Sequence, residues 1–329
     1  MAEKEGILVI AELSPAGAPD AVTLELLGLG AKLAASSGRQ LQAAAVGSDT
    51  ASAAATLIAS GAAAVFTVEG SAYAAYDPDL HVAALEKVVE EAGPSAVLIG
   101  NTTVGQDLGP RLAFALKAGL TTDAVSLEMK GGALASTKPI YGGNAMAVFV
   151  SKGKPALATV RPGAGDPAEP DASRTAETVK VDVEAPSPRL SFGDKVLEEG
   201  EDVRLEEARV IVSGGRGLGG AEGFEQLREL ARLLGGAVGA SRPPVDAGWW
   251  PSTQQVGITG KIVSPEVYVA VAISGSSQHL SGISDSRIIV AINKDPEAYI
   301  FKVSDYGVVG EWRQVLPGLS SRIKEIVGG

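Results

Sequence analysis

The segment AISGSSQHLSG, Ala272 to Gly282, follows the apolar run VYVAVAIS and breaks at once into small hydroxyl residues, glycines and one of the chain's two histidines. Small residues let a backbone approach a phosphate closely, their hydroxyls can donate to it, and an imidazole can hydrogen-bond or carry charge. A second candidate is GRGLGG, 215–220, which fits G-x-G-x-x-G between the strand-like RVIVSGG and the helix-like AEGFEQLRELARLLG. Glycines there allow close approach to a pyrophosphate at a helix N-terminus. A dinucleotide site of that type also expects an acid about twenty residues further on. Ser241 and Arg242 stand there instead, and a glycine-rich turn with no ligand fits the pattern as well.

Arg216, Arg242, Lys261, His279 and Lys294 all fall at or just after expected strand ends, among Ser241, Thr259, Ser274, Ser276 and Ser277. Each cation alone reads as a solvated surface charge. Gathered on one sheet edge of an acidic protein, they point to a phosphate-bearing cofactor. His81 lies in a charged amphipathic stretch with Glu86 and Lys87 and reads as surface.

Composition narrows the chemistry. The 329 residues suffice for two domains with real cores. The absence of cysteine excludes iron–sulfur ligation, thiolate nucleophiles, disulfides and Cys-type zinc sites. Two histidines far apart in the chain make a His-rich metal site a poor expectation. The net charge of −11 argues against nucleic acid as a partner. No apolar run reaches the roughly eighteen residues of a membrane span, and the acidic MAEKEG start has no signal-peptide core, so the expected location is cytoplasmic. Redox chemistry here would need an organic cofactor.

The elements that must position these residues are those of an α/β protein with two α/β domains. In the first half, ILVIAEL, LQAAAV, AAVFTV and SAVLIG are short apolar runs of the kind that form buried parallel strands. Between them lie helical stretches that begin at Asp20, Asp49 and Asp77 and end at glycine, with a fourth over QDLGPRLAFALKAG. Closely spaced strands from about 123 to 160 suggest an antiparallel extension. The Pro-, Gly- and acid-rich stretch 161–207 loses apolar periodicity and reads as the boundary. The division expected is an N-terminal domain over 1–185, a linker over 186–207 and a C-terminal domain over 208–329. In the last, RVIVSGG, AVGAS, VYVAVAIS and RIIVAINK are strand candidates whose carboxyl ends carry the polar loops, the place where open parallel sheets bind ligands.

VIVSGGRGLGG, AVGASRPPVDAGWWP, QVGITGKIVSPEVYVAVAISGSSQHLSG and SRIIVAINKDPEAYIFKVSDYGVVG closely resemble, in order over about a hundred and ten residues, the FAD-binding domain of the electron transfer flavoprotein alpha subunit family. ILVIAEL, GNTTVGQDLGPRLA and YGGNAMA are similar, more loosely, to the family's first domain. The resemblance implies a Rossmann-like open sheet in the C-terminal domain, one FAD, and a heterodimer with a beta subunit paired through the N-terminal half. It further implies that Arg216 and Ser241 contact FAD, Ser241 at the pyrophosphate, with Arg242 over the flavin ring. Gln255, Val256, Gly257, Ile258 and Thr259 would line the isoalloxazine, the Thr259 hydroxyl at N5. Ser274, Gly275, Ser276, Ser277, Gln278 and His279 would wrap the ribityl and pyrophosphate, His279 near O2, and Asn293, Glu311 and Trp312 would bind the adenosine end. Ile258 stands where the family usually has Gln, and Glu311 where Asp is common.

The resemblance implies an electron carrier with no substrate turnover of its own, fed by acyl-CoA or other dehydrogenases and emptied by a quinone oxidoreductase or another acceptor. Such a carrier must stabilise an anionic semiquinone, and a cationic Arg242 with a hydrogen-bonding or protonated His279 would do so electrostatically. An electron-bifurcating relative that uses NADH remains open, as does an NAD(P)-dependent dehydrogenase built on GRGLGG. A nucleotide-sensing module would account for the first half only. Trp249 and Trp250, in GWWP, read as core packing.

Overall fold

A computed structural model describes residues 5–14, 16–141, 143, 145–187, 205–206 and 208–327. The chain divides into two compact units, Met1–Lys195 and Val196–Gly329. The expected linker, 186–207, lies almost wholly outside the described residues.

The first unit alternates β1 (Ile7–Ile10), α1 (Ala21–Ser37), β2 (Leu41–Gly47), α2 (Ala51–Ala59), β3 (Ala64–Glu69), α3 (Pro78–Ala92), β4 (Ala96–Gly100) and α4 (Thr103–Ala115). Next come β5 (Leu120–Ala124), β6 (Ser126–Lys130), β7 (Ala133–Ile140), β8 (Ala145–Val150), β9 (Ala156–Val160) and β10 (Glu177–Lys180). Seven of these strands form a wholly parallel sheet in the order β10-β3-β2-β1-β4-β9-β5. Leu26, Leu33, Ala53 and Leu57 from α1 and α2 fill one face, and Leu80, Leu85, Val88, Leu108 and Leu112 from α3 and α4 fill the other. Burial from both sides is why β1 and β4 can be apolar at every position.

Helix starts follow the capping chemistry. Asp20 accepts from the Thr23 amide at 3.1 Å, and Asp77 from those of Asp79 and Leu80 at 2.9 and 3.0 Å. Asp49 is not a cap: Thr50 holds that position in α2, and Asp49 bonds the Ala51 amide instead. Helix α4 begins before the expected stretch, because the Thr102 hydroxyl accepts from the Gly105 amide at 3.0 Å.

The expected antiparallel extension is corrected. Only β6, β7 and β8 are antiparallel, whereas β9 returns to the parallel sheet between β4 and β5 with every residue buried. The start of the irregular stretch, 161–187, packs on the first unit. The Ala168 amide bonds the Leu24 carbonyl, that of Asp171 bonds the Ala59 carbonyl, and β10 extends the sheet beside β3. Hydrogen bonding to the unit's surface replaces the apolar periodicity that the sequence lacks there.

The second unit comprises β11 (Val210–Gly214), α5 (Gly223–Leu233), β12 (Ala237–Ala240), α6 (Arg242–Asp246), β13 (Val267–Val271), α7 (Ser277–Leu280), β14 (Ile288–Asn293), β15 (Tyr306–Val309) and α8 (Trp312–Val327). Its five strands are parallel in the order β12-β11-β13-β14-β15. A single parallel bridge between Ala240 and Gln255 adds one step beyond β12, where the order 3-2-1-4-5-6 would place a third strand. Along β13, Val269 and Val271 face a core closed by Phe224, Leu227, Leu230, Trp312 and Leu316 of α5 and α8. Tyr268 and Ala270 face a core closed by Val256, Val263, Ile273, Ile283 and Ile300. These last residues come from irregular chain. Among the described residues, no helix is long and apolar enough to cross a membrane.

In the first unit, the Arg161 guanidinium grips the Asp123 carboxylate through two bonds of 2.9 and 2.6 Å with only 7% of the Arg161 side chain exposed. Asn101 donates to the same carboxylate, tying the ends of β4, β5 and β9 together. Removing one partner of such a buried pair strands the other. Arg161→Ala is expected to destabilise the first unit by about 3 kcal/mol, read as a lower midpoint in urea for its transition.

Candidate flavin-binding site

The switch point of the second sheet lies between β11 and β13, and their carboxyl ends carry the two loops the sequence singles out. In the first loop, a Cβ on Gly215 would lie 2.1 Å from the Ala272 carbonyl oxygen, and the Gly217 amide reaches that same oxygen at 3.3 Å. The first glycines of GRGLGG therefore serve close packing of one loop on the other. Arg216 lies between them, exposed, with no ion pair among the described residues.

Residues 255–261 form a tight ring hung on the end of β12. The Val256 amide bonds the Ala240 carbonyl at 2.8 Å, the Lys261 amide that of Gln255 at 2.7 Å, and the Gly257 amide that of Lys261 at 3.0 Å. Gly257 adopts φ 138°, a conformation suited to glycine, and a Cβ there would press on the Gln278 carbonyl at 3.0 Å. That carbonyl accepts from the Ile258 amide at 2.9 Å, joining the ring to α7. Inside the ring, the Gln255 amide group donates to the Thr259 hydroxyl at 2.9 Å. The hydroxyl proton of Thr259 is thereby left for another acceptor. Ile258 and Thr259 are exposed, whereas Gln255 and Val256 are buried.

The candidate His279 is held by the protein itself. Its side chain is buried, with Nδ1 3.1 Å from the Val256 carbonyl and Nε2 3.0 Å from the Tyr268 hydroxyl. A carbonyl only accepts, so Nδ1 carries the proton and Nε2 accepts from Tyr268. Burial lowers the imidazole pKa from 6.5 to about 4, against the opposing pull of the Val256 carbonyl. The ring is neutral at pH 7, and both its nitrogens are engaged within the protein. The exposed groups on this loop are Ser274, Ser276, Ser277 and Gln278, with Gly275 buried between them.

Ser241 begins α6, buried, its amide bonded to the Gly214 carbonyl. Arg242 is exposed and pairs with Asp246 at 3.2 Å. Lys261 pairs with Glu206 at 2.8 Å, and Lys294 with Glu311 at 3.8 Å. The Asn293 side chain bridges the Ile273 carbonyl and the Asp295 amide. Trp312 lies in the core with the Arg313 guanidinium 4.4 Å over its ring, so its indole is not open to a ligand. Trp250 is also core, stacked at 4.5 Å on Phe224 and covered by Arg228. His81 is half-buried between Tyr73 and Tyr76 and bonds the Asp77 carbonyl, which corrects its reading as a surface residue.

A phosphate-bearing cofactor fits this edge. The hydroxyls of Ser274 and Ser276 are exposed and make no hydrogen bond among the described residues, and Arg216 and Arg242 bring positive charge to adjacent strand ends. Sequence reasoning missed Tyr268 and Asp246. Tyr268 was hidden as one apolar position of a strand, although an (i, i+4) acid after Arg242 was a legible signal.

Since the folded His279 pKa lies below its ordinary value, an unfolded chain takes up the proton first. The neutral imidazole's contribution is complete above pH 6.5 and is lost as pH falls towards 4, a loss of about 3 kcal/mol. Urea unfolding of the second unit should therefore weaken more between pH 7 and pH 4.5 in the native chain than in His279→Gln. Parallel pH profiles would show that the imidazole is not the titrating group.

Comparison with known proteins places this geometry in a family. The family model described as the electron transfer flavoprotein domain matches residues 7–186, and that of the electron transfer flavoprotein FAD-binding domain matches residues 204–284. The electron transfer flavoprotein subunit alpha of Thermoanaerobacterium thermosaccharolyticum is 42% identical over 309 residues, covering 93% of this chain and 94% of that one. The Bacillus subtilis subunit alpha is 42% identical over 281 residues, covering 85% and 86%. Protein FixB of Clostridium saccharobutylicum is 40% identical over 331 residues, covering 99% and 98%. The cofactor is FAD, and the second unit carries the family's FAD-binding domain. The chain belongs to the electron transfer flavoprotein alpha subunit family.

Proposed function

We propose that the chain is the alpha subunit of a heterodimeric electron carrier, paired with a beta subunit through its N-terminal unit. In this reading it receives electrons from acyl-CoA or other dehydrogenases and passes them to a quinone oxidoreductase or a similar acceptor. Residues 186–207 serve as the linker on which the FAD domain moves between partners. The bound flavin supplies the redox chemistry, accepting and releasing electrons singly.

The observation that carries the reading is the joined pair of loops on the side of the second sheet that has no long helix among the described residues. Ser274, Ser276 and Ser277 offer donors to phosphate. Thr259 presents a hydroxyl already fixed by Gln255, suited to donate to the flavin N5. Arg242 sets a cation near the ring, moderated by Asp246. Arg216 and Ser241 meet the pyrophosphate, while Asn293, Glu311 and the backbone at Trp312 hold the adenosine end. Val256 and Gly257 form the wall of the flavin pocket, and Ile258 covers it with an exposed apolar side chain in place of an amide. An NAD(P) dehydrogenase is disfavoured, because Gly215 and Gly217 of GRGLGG pack against Ala272 and the acid expected about twenty residues on is replaced by Ser241 and Arg242.

Co-expression with the beta subunit should give a yellow complex that releases one FAD per heterodimer. A second flavin reducible by NADH would move the reading to bifurcation, and a colourless complex that binds NAD(P) would overturn it. In the yellow complex, Arg242→Leu is expected to make the flavin potential more negative and Asp246→Asn more positive. The scale is about 59 mV per 1.4 kcal/mol for a one-electron step, checked by anaerobic titration against reference dyes.

A further inference from the structure

We propose that Tyr268 and His279 form a buried strut whose task is to position the flavin-lining ring, residues 255–261, by holding the Val256 carbonyl. The inference rests on the reading of that ring as flavin-lining. Tyr268, fully buried, acts through His279 and is a positioning residue.

Three observations carry it. Tyr268 is fully buried in the middle of the sheet's second face, anchored by the regular pairing of β13 with β11 and β14. Its hydroxyl is 3.0 Å from His279 Nε2, and His279 Nδ1 lies 3.1 Å from the Val256 carbonyl. The chain of bonds thus runs from the rigid sheet to the ring without passing through solvent. Beside it, the Ile258 amide bonds the Gln278 carbonyl and the Val263 amide bonds the Gly282 carbonyl. A Cβ on Gly282 would lie 2.5 Å from the Gly257 Cα, so backbone meets backbone there. The ring and the 274–282 segment are therefore one body, and the imidazole is the side chain that ties that body to the sheet.

A purely apolar core would fill the same space without demanding direction. The strut demands it: a carbonyl acceptor on one side and a hydroxyl donor on the other fix the tautomer and the ring plane. With Val256 held, Gln255 and Thr259 on either side are held too, including the Gln255 to Thr259 bond that aims the Thr259 hydroxyl.

The test uses the alpha–beta complex and the full chain. Tyr268→Phe keeps the packing and removes the donor; His279→Leu removes both bonds; His279→Gln keeps an amide able to donate to Val256. Deuterium exchange at the amides of 257–261 should rise about ten-fold in Tyr268→Phe and more in His279→Leu, while β13 and β14 exchange as before. His279→Gln should restore part of the protection. FAD should leave the Tyr268→Phe complex about ten-fold faster, and nitrogen NMR of the native chain should show His279 protonated at Nδ1. If the ring's exchange and the FAD release rate stay native in Tyr268→Phe, or if protection falls evenly over the whole unit, the strut is only core packing and the inference fails. Should His279→Leu not fold, Tyr268→Phe and His279→Gln decide the matter. A complex that holds no FAD overturns the functional reading, yet the exchange and tautomer measurements still judge the strut.

Discussion

Buried backbone polar groups must find partners, and a sheet face without a long helix meets that demand with difficulty. The second unit covers one face with α5 and α8 and the other with irregular chain. Every piece of that chain which reaches the core must bring its amides and carbonyls to a partner. The result is the mesh around Val256, Gly257, Ile258, Gln278 and Gly282, in which one loop satisfies the other. The mesh also shapes the edge where hydroxyls and guanidinium groups gather. A helix in the same place would satisfy its own backbone and present far fewer groups to a ligand.

The two units solve the same topological problem with different outcomes. In the first, helices cover both faces of a seven-stranded sheet, and the polar groups at the strand ends satisfy each other, as Arg161, Asp123, Asn101 and Thr159 do. In the second, the equivalent edge retains Ser274, Ser276 and Arg216 without partners among the described residues. The first is a closed scaffold, and the second has binding capacity left over. That contrast fits a division of labour between pairing and cofactor binding.

Charge is used sparingly at the second edge. Arg242 answers to Asp246, Lys261 to Glu206 and Lys294 to Glu311, and the histidine between them is neutral. Of the two states expected of His279, hydrogen-bonding or protonated, burial favours the neutral, hydrogen-bonding one, and the positive charge at this edge is that of the guanidinium and ammonium groups. The first pair is exposed and the other two are partly so, and their individual effects are modest and sensitive to salt.

The sequence by itself determined β1 to β4 and α1 to α4 of the first unit and β11 to β14 with α5 of the second. Strands buried on two sides must be apolar throughout, and Asp20, Asp77, Gly38 and Gly93 mark helix ends by local chemistry alone. It also marked the candidate ligand edge, because small residues and cations recur at the carboxyl ends of β11, β12, β13 and β14. What it left undecided depended on distant contacts. The return of β9 to the parallel sheet, the lone bridge from Gln255 and the docking of 161–187 all rest on partners far away in the chain. So does the fate of His279: its neighbours in sequence are serines and a glutamine, and only the fold brings Tyr268 and the Val256 carbonyl to its two nitrogens. Residue type told what that imidazole could do, and burial beside those two groups decided what it does.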